Sequence, residues 1–388
     1  MRYLFDFIGK TVHFITLFFI DFILKYFYFP KKIKSDKIIL IKTDAIGDFI
    51  IWLDSARAFS EHFGRQNITL AVNEINYEIA AKMPYWSEII AIKTNLFYEK
   101  IFYRISILRK LKKLHYKENI NVVFSRVFWI DDSISRFISA DRKIALKPDY
   151  TNSSKLKLRI SDSWYSEIID IEYINEHEFI VNAKFLRKLG IDYSANVYEF
   201  PNDFFQSIEV DDLPEKYFVV FPGASSEKKE WAKENFVELI LQLTQKYRID
   251  CILCGGKNNI ETADFIHNST QNIHNKTGKT KLSQLAYIIK KSEFVVTNDT
   301  VAVHLAAALR TKSFCILGGG HFGRFLPYKT ETENNSEYFP VIQYFKMDCF
   351  NCNWKCKYLN RFENKAFPCV EAVSVKNVFN AIIKKWKP

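Results

Sequence analysis

The sequence predicts an α/β protein made of two similar halves, each a parallel sheet flanked by helices, with an amphipathic helix in front. Three observations carry this. At 388 residues the chain has the length of two domains. Short apolar runs alternate twice with segments of helical period, the pattern of a parallel sheet. Residues 3–29 form one long apolar stretch with charges at helical spacing.

In the N-terminal stretch, Asp6, Lys10, Asp21 and Lys25 interrupt a run rich in Phe, Ile and Leu. A spanning helix needs about 20 apolar residues without such interruption. At helical period the four charges, with His13, share one side, leaving a broad apolar face. Lys31, Lys32, Lys34 and Lys37 follow, where anionic headgroups would attract them. Two readings stay open: a helix lying in the membrane interface, or one packed on the protein or another subunit. No small-residue cleavage site follows, against a signal peptide.

The first alternating series starts with the strand Lys37–Lys42 and a helix over Asp48–Phe63. Next come strand Ile68–Val72, a short helix Ile75–Lys82 and strand Glu88–Lys93. A basic helix follows over Tyr98–Tyr116, then strand Asn121–Ser125, and Arg142–Lys147 closes the series. Asp149–Ser161 reads as a polar, basic loop. A helix over Glu176–Leu189 stops at Gly190. The acidic stretch from Pro201 to Pro214 reads as an interdomain linker.

The second series runs strand Tyr217–Phe221, helix Glu234–Tyr247, strand Asp250–Cys254 and helix Asn259–Ile266. Helix Leu282–Ile289, strand Glu293–Thr297, helix Thr300–Leu309, strand Ser313–Leu317 and a tail helix Val373–Trp386 complete it. The organisation is therefore helix 1–35, first domain 36–200, linker 201–215, second domain 216–372 and C-terminal helix 373–388.

Composition narrows the function. Hydrophobic residues make up 48% and charged residues 26%, enough for a real core. The net charge of +11 suits nucleic acid, an anionic membrane or a phosphorylated substrate. No zinc-finger, homeodomain or RNA-binding pattern is present, which excludes the usual nucleic-acid binders. Of seven cysteines, Cys251, Cys254 and Cys315 sit in apolar strands as core thiols. That pattern points to a reducing cytoplasm rather than a disulfide framework.

The chemistry-bearing motifs fall at strand ends, where sheets of this kind bind ligands. Lys42-Thr43-Asp44-Ala45-Ile46-Gly47-Asp48 turns from a buried strand into a helix. Asp48 is either a carboxylate favoured by the helix N-terminus or a general base with Lys42 as charge partner. Phe221-Pro222-Gly223-Ala224-Ser225, with Lys228, Lys229 and Trp231, offers backbone N–H groups and lysines to an anion. Thr297-Asn298-Asp299-Thr300 opens a helix that reaches His304. It is either a phosphate-holding N-terminus or a cap with a satisfied histidine. Gly318-Gly319-Gly320 permits close backbone approach to a ligand. Cys349, Cys352, Cys356 and Cys369 are either four reduced thiols, one or two of them buried, or a tetrahedral zinc or iron site, which would be structural because no His or Asp completes an open position.

Together these motifs resemble glycosyltransferase family 9, the ADP-heptose:lipopolysaccharide heptosyltransferases. The likeness spans roughly Lys37 to Val378. It rests on KTDAIGD (Lys42–Asp48), FPGAS (Phe221–Ser225), KEWAKENF (Lys229–Phe236), TGKTKLSQLA (Thr277–Ala286), TNDTVAVHLAAAL (Thr297–Leu309) and FLRKLG (Phe185–Gly190).

The resemblance implies a GT-B fold, two Rossmann-like domains facing one cleft, and sugar transfer with inversion without a catalytic metal. It makes Asp48 the base and Lys229 the lysine on the donor phosphates. Asp299 falls near the donor sugar, Thr300 and His304 around the diphosphate, and Ser225 and Gly319 in the donor site. Asn258 lies near the position of a ribose-binding acid in relatives. The sequence departs from the family at Val301, where glycine is usual, and at Gly318–His321, where relatives often have Gly-x-Thr. Some relatives carry a cysteine-bound metal in this region.

The expectation is thus an inverting transferase moving a heptose-like sugar, with ADP-heptose favoured as donor. The acceptor would be a lipopolysaccharide-type or other cell-surface glycan or glycolipid. The enzyme would be cytoplasmic, on the inner face of a bacterial inner membrane. The basic helix with Lys100, Arg104, Arg109, Lys110, Lys112, Lys113 and Lys117 could meet phosphorylated glycolipid or that membrane. Two rivals remain: a nucleotide-sugar epimerase of similar fold, and an inactive membrane-tethered scaffold. The sequence leaves the oligomeric state open.

Overall fold

The computed structural model describes residues 2–173, 176–271, 273–334, 336–359 and 366–387. By internal packing it divides into two units, one of 1–45 with 59–171, the other of 46–58 with 172–388. Residues 172–215, read above as the end of the first domain and a linker, thus group with the second unit.

The first unit holds an all-parallel sheet of strands β1 (Ile33–Lys34), β2 (Ile38–Lys42), β3 (Ile68–Asn73), β4 (Glu88–Ile92), β5 (Leu114–Asn121), β6 (Ser139–Leu146) and β7 (Glu167–Ile169). Its order is β4-β3-β2-β5-β6-β7, with β1 paired to the start of β5. β2 and β3 are buried along their whole length, as expected of central strands covered on both faces.

The second unit repeats the plan. Its strands are β8 (Tyr217–Phe221), β9 (Asp250–Leu253), β10 (Ile273–Asn275), β11 (Val295–Asn298), β12 (Ser313–Ile316) and β13 (Val341–Gln343), in the order β10-β9-β8-β11-β12-β13. Counted from the central strand, each sheet runs 3-2-1-4-5-6, the doubly wound order. The strand order reverses between β2 and β5 in one sheet and between β8 and β11 in the other. Those are the points where such sheets open a ligand crevice. Two parallel-sheet α/β domains make this a GT-B fold.

Several local expectations are corrected. The basic helix ends at Lys112, and β5 occupies 114–121 rather than 121–125. The polar residues of Leu-His-Tyr-Lys-Glu-Asn-Ile-Asn hid that strand. The supposed loop at 149–161 contains a helix, Lys155–Asp162, whose N-cap Ser154 accepts the Lys157 N–H. It buries only Leu158 and Ser161, too little apolar signal to read. β7 extends the first sheet beyond β6, where the series was expected to close.

Helix α1 (Arg2–Phe27) precedes the first sheet, and α2 (Ile46–Phe63) follows β2. The side chains of residues 1–11, Asp6 and Lys10 among them, lie outside the described ones. Leu17, Asp21 and Leu24 are buried, while Val12, Ile15, Phe18, Phe19, Phe22, Tyr26 and Phe27 are exposed. Over its described side chains the helix therefore turns His13, Asp21 and Lys25 toward the protein. Asp21 takes both Nε and Nη2 of Arg104, at 2.8 and 2.6 Å, and Ser133 Oγ donates to it at 2.9 Å. Lys25 donates to the Arg136 carbonyl and His13 to that of Tyr98. Among the described residues no helix is long and apolar enough to cross a membrane.

Candidate functional site

At the end of β2, Lys42 is fully buried and its Nζ donates to Asp44 Oδ2 at 2.8 Å. A buried ammonium is tolerated only with such a partner. Asn76 Nδ2 holds the Asp44 carbonyl. The turn then enters α2, whose N-cap is Ala45 without a side-chain cap. Asp48, half-buried, is the acidic residue of the first helical turn.

Residues 46–58 group with the second unit, and the reason shows at Gly47. A Cβ there would lie 3.0 Å from His304 Cδ2, so only glycine lets the imidazole sit against this turn comfortably. His304 is buried and bonded through Nδ1 to the Tyr328 hydroxyl at 2.8 Å. Burial, then the nearby His177, pushes its pKa down to about 3, so it is a neutral imidazole near neutral pH.

The second crevice lies at the ends of β8 and β11. Asn298 stitches them together: its Nδ2 donates to the Pro222 carbonyl and its Oδ1 accepts the Trp231 N–H. Glu230 accepts the Ala224 N–H at 3.0 Å and Asn259 Nδ2 at 3.3 Å. One of the turn's backbone donors is thereby engaged from within. Neither Asn298 nor Glu230 was singled out in the sequence, although both lie inside the quoted motifs.

Lys229 reaches Ser225 Oγ at 3.2 Å and lies 4.2 Å from the centre of the Trp354 ring. Burial lowers its pKa, and the Asp299 carboxylate opposes that shift. Burial raises the pKa of Asp299, and Lys229 opposes it in turn. Lys229, Ser225 and Asp299 thus share one locality. Thr300 caps the helix Val301–Ala308, accepting the Ala302 N–H at 3.2 Å, and meets Thr297 Oγ1. Asn258 is exposed in a short turn next to Asn259.

The three glycines are filled by protein. A Cβ at Gly319 would lie 2.2 Å from the Phe350 ring, and one at Gly320 would lie 2.2 Å from Trp354. The segment carrying Cys349, Cys352 and Cys356 folds over this turn, with Asn351 N–H on the Gly319 carbonyl and Asn353 N–H on that of Gly320. Asn351, Asn353 and Trp354 have positive φ, the mark of a tight knuckle. Gly319 N–H donates to Cys369 Sγ at 3.4 Å. Burial raises the Cys369 pKa, the Gly319 N–H opposes that, and Cys349, Cys352 and Cys356 add to the rise. Among the described residues no group of three or more His, Cys, Asp or Glu side chains is placed to hold a metal ion.

In the first unit the end of β5 holds a network the sequence reading missed. Buried Arg126 pairs with Asp132 at 3.0 Å and with Asp162, and Tyr165 donates to Asp132. Asp131 takes the Val127 N–H; burial, then Asp132, raises its pKa well above the carboxylate range. The π-turn Phe128–Asp132, a device frequent at functional sites, was the one unread signal.

The family model of glycosyltransferase family 9 (heptosyltransferase) matches residues 176–355. The chain is 22% identical over 305 residues to the lipopolysaccharide core heptosyltransferase OpsX of Haemophilus influenzae, covering 76% of this chain and 81% of that one. A family 9 glycosyltransferase from Veillonella parvula superposes with a TM-score of 0.69 at 15% identity, over 92% of this chain and 99% of that one. E. coli heptosyltransferase WaaC with ADP gives 0.65 at 15% identity, over 90% and 99%. The chain is a glycosyltransferase, similar over residues 176–355 to glycosyltransferase family 9 and over most of its length to a lipopolysaccharide core heptosyltransferase.

Proposed function

We propose that the chain transfers a heptose from ADP-heptose to a lipopolysaccharide-type acceptor, with inversion and with Asp48 as base. What carries the reading is the locality of Lys229, Ser225 and Asp299 at the β8/β11 crevice. Support for the donor and acceptor comes from the ADP in the WaaC structure and the core activity named for OpsX.

Asp48 takes the proton of an acceptor hydroxyl as that oxygen attacks the anomeric carbon from the face opposite the diphosphate. The bond to the diphosphate breaks, and negative charge gathers on the leaving group. Lys229, with Ser225 and the capped N-terminus at Thr300, stabilises that charge. Its lowered pKa fits a lysine held partly dry until a phosphate arrives. Neutral His304 shapes the pocket wall as a hydrogen-bonding group.

Asp48→Asn should lower turnover by at least about a thousandfold while ADP still raises the melting temperature. Unchanged turnover removes Asp48 from the mechanism. Lys229→Ala should weaken ADP binding by about tenfold or more; equal affinity removes Lys229. Release of free sugar or epimer from ADP-heptose without acceptor would favour an epimerase instead.

We further propose a structural zinc or iron on Cys349, Cys352, Cys356 and Cys369. The support is the thiol donor set, the knuckle around Asn351–Trp354 and the N–H bond to Cys369. Elemental analysis of purified protein tests it: a metal lost in Cys352→Ser with a fallen melting temperature is expected, and metal-free, fully stable protein refutes it. The enzyme is also proposed to work as a peripheral protein on the inner face of the inner membrane, where the basic, apolar N-terminal region supports the placement.

A further inference from the structure

The inward-turned charges of α1 leave a continuous apolar ridge on the first unit. From 12 to 27, Val12, Ile15, Phe18, Phe19, Phe22, Ile23, Tyr26 and Phe27 are all exposed, and Phe29 beyond them is 80% exposed. Soluble monomers rarely leave such a patch bare. The ridge is rigid, because the Asp21–Arg104–Ser133 lock is fully buried. Lys112 also donates to the carbonyls of Leu24 and Lys25 near the helix end.

Basic side chains lie beside the ridge at two places along it. At one, the helix Ile101–Lys112 and its cap Lys113 expose Phe102, Arg109, Lys110 and Lys113. Together with Tyr28 they line a groove of about 550 Å³. At the other, Lys157 lies 5.1 Å from the Phe14 ring, and the same short helix exposes Leu156 and Ile160 beside Lys155 and Arg159. Neither Tyr28–Ser35 nor Ile101–Lys113 contains a carboxylate. Of the basic helix expected to meet a membrane, Arg104 and Lys112 are spent inside, and Lys100, Arg109, Lys110 and Lys113 remain outside.

We infer that this face is a pre-formed dock for an anionic phospholipid bilayer, with the α1 ridge sunk among the acyl chains and the flanking lysines and arginines on the headgroups. Charge selects the occupant. A second copy meeting this face about a twofold axis would set these basic side chains against their own copies. A bilayer offers apolar depth bordered by phosphate, the complement of this face. In an ordinary interfacial helix the polar face meets water. Here it is already satisfied by the protein, so docking needs no folding step. The inference rests on the peripheral placement proposed above and adds the surface and the lipid.

The test is co-sedimentation of the full chain with vesicles of phosphatidylcholine alone or mixed with phosphatidylglycerol. Wild type should bind the mixed vesicles more tightly. Phe18→Ser with Phe19→Ser should cut partitioning by more than about tenfold, with an unchanged melting temperature and unchanged transfer to a water-soluble acceptor. Arg109→Gln, Lys110→Gln and Lys113→Gln should each cost about fivefold on anionic vesicles and little on neutral ones. Wild-type binding that all these variants retain would overturn the dock and leave the peripheral placement standing. Wild type that ignores both vesicle types overturns both. A dimer in vesicle-free buffer that the Phe18/Phe19 double variant dissolves makes the occupant a second copy and overturns the lipid assignment.

Discussion

The helices at the two ends of this chain are both amphipathic, and they are turned opposite ways. The C-terminal helix Val375–Lys385 buries Val375, Val378 and Ile382 in the second unit's core and exposes Lys376, Lys384 and Lys385. Helix α1 buries Asp21 and half-buries Lys25, while showing Phe18, Phe19, Phe22 and Phe27 to solvent. The pattern of each sequence says that one side differs from the other. Which side faces the protein depends on what waits there. Around the C-terminal helix it is an apolar core. Beneath α1 it is Arg104, a fixed cation that no apolar stripe could satisfy.

The comparison can be broken at the lock. Asp21→Ala leaves Arg104 buried without its carboxylate and should cost about 3–5 kcal/mol, read as a lower denaturation midpoint. A loss below about 1 kcal/mol would mean that α1 is not held by its charges. On the ordinary helix, Ile382→Ala should cost about 2–4 kcal/mol through the cavity it leaves. In contrast, Phe19→Ser on the exposed ridge should change stability by no more than about 0.5 kcal/mol, so urea titration of the pair measures the inversion directly.

A subtler test uses pH. Lys143 sits near the α1 terminus, donating to the Ser135 and Arg136 carbonyls. Burial, then Lys25, Lys32 and Arg136, pushes its pKa down to about 7. In the unfolded chain it titrates near about 10.4. Between those values the unfolded state binds more protons, so stability rises with pH and the gain is complete only above the unfolded pKa. Lys143→Met should flatten the rise in melting temperature between about pH 6.5 and about pH 9. An unaltered slope would place the effect on other groups.

The sequence made the central strands and their carboxyl-end turns plain, because KIILIK and YFVVF are unbroken buried runs that stop at polar turns. The sites called from those turns remain proposals, but the locality of Lys229, Ser225 and Asp299 was approachable by motif alone. Edge strands such as β7, β10 and β13 were not legible, since three residues carry no period. The role of Gly318–Gly320 was equally hidden. Their neighbours Phe350 and Trp354 lie some thirty residues on, and only folding brings them back. The orientation of α1 depended on Arg104, 83 residues away.

The packing of Phe350 and Trp354 into the space above Gly319 and Gly320 ties two stretches of sequence into one inheritable unit. A side chain gained at either glycine would require a smaller ring at 350 or 354 in the same lineage. Among relatives the two stretches should therefore change together, and a recombinant that swaps the cysteine segment alone between distant family members should fail unless it carries the glycine turn with it.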